Sequence, residues 1–185
     1  MTDKEQFCRI LRERSNEHKN AINLMLQNEL YGQAISILRQ ELDSMVRVIF
    51  LLDESNLSIR SHFIRQTLNS TKWTLPNSRT IVTDRYMVDL ANTLFGWTQS
   101  VYKLGCAFIH LSPMSDYKNE NPFLQLRQDE IDDVKEHLHN YHDFPLTNDL
   151  TMVTVTPYLL RVFTKVSDNL EYYISGLEND RVGDL

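Results

Sequence analysis

The strongest constraint on the fold is a stretch of apolar residues, spaced three and four apart, between Thr83 and Pro113. This spacing places the apolar side chains on one face of an α-helix. Thr83 is suited to cap the helix, and Asp84 suits the positive end of the helix dipole. Pro113 lacks the amide hydrogen that a continuing helix needs. The pattern predicts one long central helix, with the other helices packed around it.

Two glycines lie inside this predicted helix. Gly96 and Gly105 each weaken a helix by about 1 kcal/mol relative to alanine. A glycine in such a position allows a neighbouring helix to approach closely, so we expect tight helix crossings at both. Either glycine is equally compatible with a bend, and the sequence leaves that alternative open.

Five further segments carry apolar residues at helical spacing. They are Thr2–Gln27, Tyr31–Leu52, Leu57–Leu68, Arg127–His142 and Asp149–Leu177. Pro157 is expected either to kink the last of these or to lie in the first turn of its main segment. Only five glycines and five prolines are present, too few for a β-sandwich with many tight turns. The predicted fold is therefore all-α, a bundle of five to six helices in a single domain over residues 1–185.

The charge of the chain argues against a general nucleic-acid-binding surface. The formal net charge is −6, whereas bulk binding to nucleic acid depends on clustered Lys and Arg. Two small basic groups are present, Arg9 with Arg12 and Arg14, and Arg60 with Arg65. Both groups are predicted to lie on solvated faces. A local basic groove stays compatible with the sequence.

The cysteines and the lengths of the apolar runs indicate the cellular compartment of the protein. Cys8 and Cys106 both lie in apolar helical surroundings, which favours buried thiols in a reducing compartment. The N-terminus carries no apolar signal segment, and no uncharged run reaches the roughly 20 residues of a membrane span. We therefore expect a soluble, cytoplasmic protein that does not contact a membrane.

The histidines near the end of the predicted helix Arg127–His142 are candidate metal ligands. Glu136 and His139 have the spacing found in di-iron bundles, but those proteins need a second such pair, which this chain lacks. His139 and His142 share a helix face with room for a weakly held metal. A solvated helix end that also includes His137 is the favoured interpretation, so we expect no metal and no cofactor.

Charged residues on the apolar faces of the first two helices are predicted to be structural. Arg14 and His18 interrupt the apolar face of the first helix together. Arg39 and Asp43 are four residues apart on the second helix and lie one above the other, close to its apolar face. An intrahelical ion pair is the favoured interpretation of Arg39 and Asp43.

Lys103 and His110 are the most suggestive pair for chemistry. Seven residues correspond to nearly two helical turns, so both project from one side, about 10 Å apart along the axis. A histidine can act as a general acid or base near neutral pH, and a lysine can hold a phosphate. The structural alternative is that Lys103 extends along the surface while His110 caps the last turn. The residues alone favour this alternative.

Two stretches resemble a known superfamily. The segment VYKLGCAFIHLSP resembles a signature of HEPN-like helical domains (higher eukaryotes and prokaryotes nucleotide-binding), in particular of a bacterial subgroup of unassigned function. The segment YGQAISILRQELDSMVRVIFLL resembles the second helix of that subgroup, which carries an Arg followed by an acid. These two positions map to Arg39 and to Glu41 or Asp43. The resemblance covers about residues 20–113.

The resemblance implies a HEPN-like fold, a homodimer and metal-independent ribonuclease activity of the kind found in toxin–antitoxin and antiviral systems. The family motif has an Arg, then four to six residues, then a His. Here Lys103 stands in place of the Arg, and a lysine does not grip a phosphate bidentately. By this resemblance Lys103 and His110 are the candidate catalytic residues, with Arg39, Asp43 and Ser112 in support.

Two functions therefore remain open from the sequence. The resemblance favours an RNA- or nucleotide-binding accessory or defence protein. The negative charge and the lysine at position 103 favour a non-catalytic helical module that binds a protein partner.

Overall fold

The structure, a computed structural model, describes residues 1–181 and confirms the predicted all-α bundle. No β-strand forms within this range, where an isolated bridge joins Thr74 to Ile81. Two short 3-10 helices, Pro113–Asp116 and Pro122–Gln125, precede the sixth α-helix. The seven α-helices of the described range are α1 (Asp3–Gln27), α2 (Tyr31–Asp53), α3 (Leu57–Leu68), α4 (Asp84–Phe95), α5 (Thr98–Ile109), α6 (Gln128–His142) and α7 (Met152–Glu178).

The predicted single helix between Thr83 and Pro113 is wrong, because the chain forms α4 and α5 there. Gly96 ends α4 in the left-handed conformation, with φ of 73°, and its amide donates to the carbonyl of Asn92 at 2.7 Å. This conformation is favourable for glycine and unfavourable for most other residues. Gly96 is therefore a bend, and residues 1–181 form seven α-helices rather than the five or six expected.

Gly105 is a close helix crossing, as expected. A Cβ atom built on Gly105 would lie 2.5 Å from Cβ of Arg39 and 2.9 Å from its Cγ and Cδ. Real side chains do not approach so closely, so the absence of a side chain at Gly105 lets α5 rest directly on the Arg39 side chain of α2.

The centre of the bundle is α2, which corrects the prediction that the Thr83–Pro113 segment is central. Helices α1, α4, α5 and α7 all pack against α2. Its buried residues lie on every face rather than along one stripe, as expected for a helix surrounded by others. The buried side chains of the molecule form one continuous cluster around it.

Pro157 lies in the second turn of α7 without ending the helix. A proline leaves the carbonyl four residues earlier, that of Val153, without its usual amide partner. Val153 is 84 % exposed and Pro157 is exposed as well. Water can therefore solvate the free carbonyl, which explains why the helix tolerates proline at this place.

We predict that Gly96→Ala lowers the free energy of unfolding by about 1–2 kcal/mol, because alanine is strained at positive φ. Nothing lies within 4 Å of a Cβ built on Gly96, so steric overlap does not contribute. Gly96→Asn is the matched control and should lose less, since Asn tolerates this conformation better. Urea unfolding of the three proteins measures both losses. Equal losses for Ala and Asn would contradict the conformational explanation.

Candidate functional site

The end of α5 carries two of the predicted site residues. His110 caps the helix through its backbone amide, which donates to the carbonyl of Cys106 at 3.3 Å. Its exposed ring makes no hydrogen bond within residues 1–181. Ser112 Oγ donates to the carbonyl of Ala107 at 2.7 Å, so Ser112 satisfies a free carbonyl at the helix end. His110 is thus available to a ligand, while the Ser112 hydroxyl hydrogen is engaged.

Lys103 points from α5 towards α6. Its Nζ lies 3.9 Å from Oε1 of Glu130, which also lies 3.4 Å from Nη2 of Arg127. A carboxylate at this distance occupies the ammonium group that a phosphate would need, and it repels an approaching anion. The surroundings of Lys103 are therefore less favourable for phosphate than its spacing from His110 suggests.

Arg39 and Asp43 form the predicted intrahelical pair, with Nη1 of Arg39 3.5 Å from Oδ1 of Asp43. The Arg39 guanidinium is buried and lies 4.1 Å from the ring centre of Tyr102 in α5. Its Nη2 is 4.0 Å from Oδ2 of Asp84, at the start of α4. Arg39 thus joins α2 to both α4 and α5.

Arg47 extends this pair into a four-residue network that the sequence did not reveal. Its Nε is 3.3 Å from Oδ2 of Asp43, and its Nη2 is 2.5 Å from Oδ1 of Asp84. Two arginines therefore alternate with two aspartates, and each charge has an opposite neighbour. Arg39 and Arg47 each lie four residues from Asp43, so their pairing with Asp43 could be predicted from helical spacing. Their contact with Asp84 depends on the fold, which brings α4 against α2.

The predicted site residues fall on different sides of α5. Arg39 contacts the side that carries Tyr102 and Gly105, whereas Lys103 is directed to α6. Within the described part of the chain, no hydrogen bond or ion pair joins Arg39 or Asp43 to Lys103 or His110. In one protomer these residues therefore form two separate groups.

A second buried polar group surrounds Glu41, which is fully buried in α2. Its Oε2 lies 2.6 Å from Nδ1 of His18, and its Oε1 accepts a hydrogen bond from Ser15. Ser15 Oγ is also 3.3 Å from Oγ of Ser167. His18 therefore pairs with Glu41, whereas the sequence paired it with Arg14. The group joins α1, α2 and α7.

The Glu41 group is not arranged for nucleophilic catalysis, although it contains Ser, His and an acid. In a catalytic triad the histidine lies between the nucleophile and the acid, so that it can take the proton of the hydroxyl. Here Ser15 and His18 both bind the carboxylate of Glu41. The arrangement satisfies a buried carboxylate, which is a structural role.

The predicted solvated histidine end of α6 is wrong for two of its residues. His137 and His142 are 6 % and 8 % exposed, and their rings lie 5.7 Å apart. Lys165 of α7 lies beside them, with Nζ 2.9 Å from the ring centre of Tyr141 and 4.7 Å from that of Trp97. Burial lowers the pKa of Lys165 to about 8. The α4–α5 bend produces this cluster because it places Trp97 against α6.

Burial, together with the charge of Lys165 and then His142, lowers the pKa of His137 to about 3. The unfolded chain takes up a proton on this histidine near pH 6.5, whereas the folded protein keeps it neutral. The contribution of His137 to stability is thus fully present above about pH 6.5 and is lost as the pH falls towards 3.

We predict that the wild type loses about 2 kcal/mol more stability than His137→Phe between about pH 7 and pH 5. Phenylalanine keeps a flat ring in the buried site but cannot bind a proton. His110→Phe, which removes an exposed histidine, is the control and should lose as much as the wild type. Urea unfolding at the two pH values measures the difference. An unchanged pH dependence in His137→Phe would contradict the assignment.

Comparison with known proteins adds no functional information to that from the structure. No protein family, curated protein or solved structure gives a significant match to this chain. In residues 1–181, no group of three or more His, Cys, Asp or Glu side chains is arranged to hold a metal ion. None of the helices in that range combines the length and the apolar character needed to cross a membrane.

Proposed function

We propose that this protein is a non-catalytic helical interaction module that pairs with a second copy of itself through the end of α5. The observation that carries the proposal is Leu111, which is 99 % exposed and directly follows His110. Ile109 is 46 % exposed and Leu124, in the second 3-10 helix, is 75 % exposed. We call Ile109–Leu111 and Leu124 the α5-end surface. Large apolar side chains gain free energy when a partner covers them.

The α5-end surface belongs to elements that pack against one another. The first 3-10 helix packs against both α5 and the second 3-10 helix, which carries Leu124. Asn121 Nδ2 donates to the carbonyl of Leu150 at 3.1 Å and ties this region to the segment before α7. The exposed leucines therefore stand on a packed part of the molecule, which keeps the entropic loss on binding small.

The charges beside this surface suit a second copy of the chain. Lys103 and Arg127 are positive, and Glu130 and Asp129 are negative, all within a small region of α5 and α6. A surface that carries both signs can be complementary to itself, because across a two-fold axis every contact of one residue with another occurs twice. The HEPN-like resemblance also supports pairing, since such domains commonly form dimers.

The proposal is non-catalytic because the basic side chains near α5 already contact acidic or aromatic side chains. Lys103 lies beside Glu130, and Arg39 is held between Asp43, Asp84 and Tyr102. Neither cation faces a polyanion freely. With a net charge of −6, the whole molecule also repels RNA at long range.

We predict that the wild type is a dimer at micromolar concentration and that Leu111→Asp weakens the dimer at least about tenfold. The loss of one buried leucine, about 1.5–3 kcal/mol, accounts for this factor. Val153→Asp is the control, because Val153 is 84 % exposed on α7, outside the α5-end surface. Light scattering over a dilution series gives the masses. A monomeric wild type, or equal behaviour of the two variants, would exclude the proposed interface.

A metal-independent ribonuclease of HEPN type is the second candidate, and the exposed, unbonded ring of His110 favours it. Pairing through the α5-end surface would place two copies of His110 near the two-fold axis. In this candidate His110 acts as acid or base and Lys103 binds the scissile phosphate. Arg39 supports the site through α5, because it lies over the ring of Tyr102, the residue before Lys103, and Asp43 supports the site by pairing with Arg39.

The ribonuclease candidate is tested by turnover of a mixed-sequence RNA without metal. Glu130→Gln should raise cleavage because it frees Lys103, and Lys103→Arg should preserve or raise it because a guanidinium binds phosphate bidentately. His110→Ala should abolish cleavage while the circular dichroism spectrum stays helical. Lys118→Arg, at an exposed position in the α5–α6 connection, is the control. Absence of cleavage in the wild type, Glu130→Gln and Lys103→Arg would eliminate this candidate.

A further inference from the structure

A cleft of about 380 Å³ lies between the start of α1, the outer face of α3 and the end of α7. Its walls combine the apolar side chains of Leu57, Ile64 and Leu177 with the basic side chains of Arg60 and Arg65. The cleft is remote in sequence from α5 and takes no part in the proposed function.

Arg60 forms a buried wall of this cleft and is only 2 % exposed. Its Nε donates to the carbonyl of Glu54 at 2.6 Å, and its Nη2 donates to the carbonyl of Leu52 at 2.9 Å. These bonds cap the end of α2 and hold the guanidinium in one orientation. Its Nη1 has no hydrogen-bond partner within residues 1–181.

No acid lies within ion-pair distance of Arg60 in the described part of the chain, and the carboxylates of Asp180 and Glu54 act on its charge only from further away. Burial lowers the pKa of Arg60 from its ordinary value, yet an arginine stays charged in proteins. A buried cation with an unused donor is unfavourable unless an anion approaches it. Arg60 therefore differs from Arg39, which has both Asp43 and Asp84.

The other charged side chains that line the cleft are of both signs, with Asp3 and Asp180 opposite Lys4 and Arg65. Arg65 lies one turn further along α3, is exposed and has no carboxylate partner within residues 1–181. The start of α1, at Asp3 and Lys4, brings the positive end of a 25-residue helix to the same cleft. Lys4 itself is paired, since its Nζ lies 2.7 Å from Oδ1 of Asp180. Arg60 and Arg65 are thus the two cations left for a ligand.

We infer that this cleft binds the oxyanion group, carboxylate or phosphate, of a small organic acid whose apolar part contacts Leu57 and Ile64. Arg60 contributes its charge from the wall of the cleft, and Arg65 contributes a guanidinium that is free to close over the anion. The cleft volume, about 380 Å³, lies in the range of small-molecule sites. Arg60 and Arg65 were predicted to form a solvated face, and the burial of Arg60 corrects that prediction.

The test is an NMR titration that follows the guanidinium resonances of Arg60. The probes are inorganic phosphate and butyrate, each compared with chloride at the same ionic strength. We expect a saturable shift with at least one probe. A tighter response to phosphate identifies a phosphoryl group as the ligand chemistry, and a tighter response to butyrate identifies a carboxylate with an apolar chain.

Arg65→Gln is the decisive variant, because replacing Arg60 would also remove the cap on α2. It should weaken binding about tenfold, the effect of one charged hydrogen bond. Arg79→Gln makes the same charge change at an exposed position outside the cleft and should bind like the wild type. The inference is overturned if neither probe shifts Arg60 more than chloride does, or if both variants bind equally well.

Discussion

The structure depends on the burial of α2 on all of its faces. A buried helix can carry polar side chains only where partners lie within reach, because water is excluded from it. Glu41 finds His18 and Ser15 on α1, and Arg39 finds Asp84 on α4 and Tyr102 on α5. Each pairing requires the partner helix to lie at a matching height along α2. The polar residues of α2 therefore specify where α1, α4 and α5 lie along it.

The same constraint explains why α5 has two unlike sides. Its inner side must lie close to Arg39, which requires Gly105, so that side is committed to packing. Its far end projects His110 and Leu111 to the surface beyond the helix. In the proposed function the partner therefore meets an exposed helix end that carries apolar and mixed-charge side chains. This division is the physical basis for preferring an interaction module over a nuclease.

Several buried basic side chains have a nitrogen without a hydrogen-bond partner within residues 1–181, and His137 and Arg60 show two different consequences. His137 can give up its proton, so burial leaves it neutral and makes its effect on stability depend on pH. Arg60 cannot give up its proton, so its charge persists inside the protein. The neutral ring of His137 is stable in its buried cluster, whereas the charge of Arg60 is stabilised by an anion. The cleft beside Arg60 is where such an anion can enter.

The sequence by itself determined the helical class and most helix boundaries. Apolar spacing identified α1, α2 and α3 closely, and α1 begins with a local capping box formed by Thr2 and Glu5. These features are local, because caps and amphipathic faces depend on residues within a few turns. The Arg39–Asp43 pair was predictable for the same reason.

Only the tertiary structure decided which helix is central and which polar residues meet. A uniform apolar pattern does not reveal whether Gly96 continues or ends a helix, since that depends on where Trp97 finds a partner on α6 and α7. The pairing of Glu41 with His18 and of Arg47 with Asp84 joins residues far apart in sequence. The exposure of Leu111 and the burial of Arg60 follow from the same packing, because neighbouring helices, not local spacing, decide which side chains reach solvent.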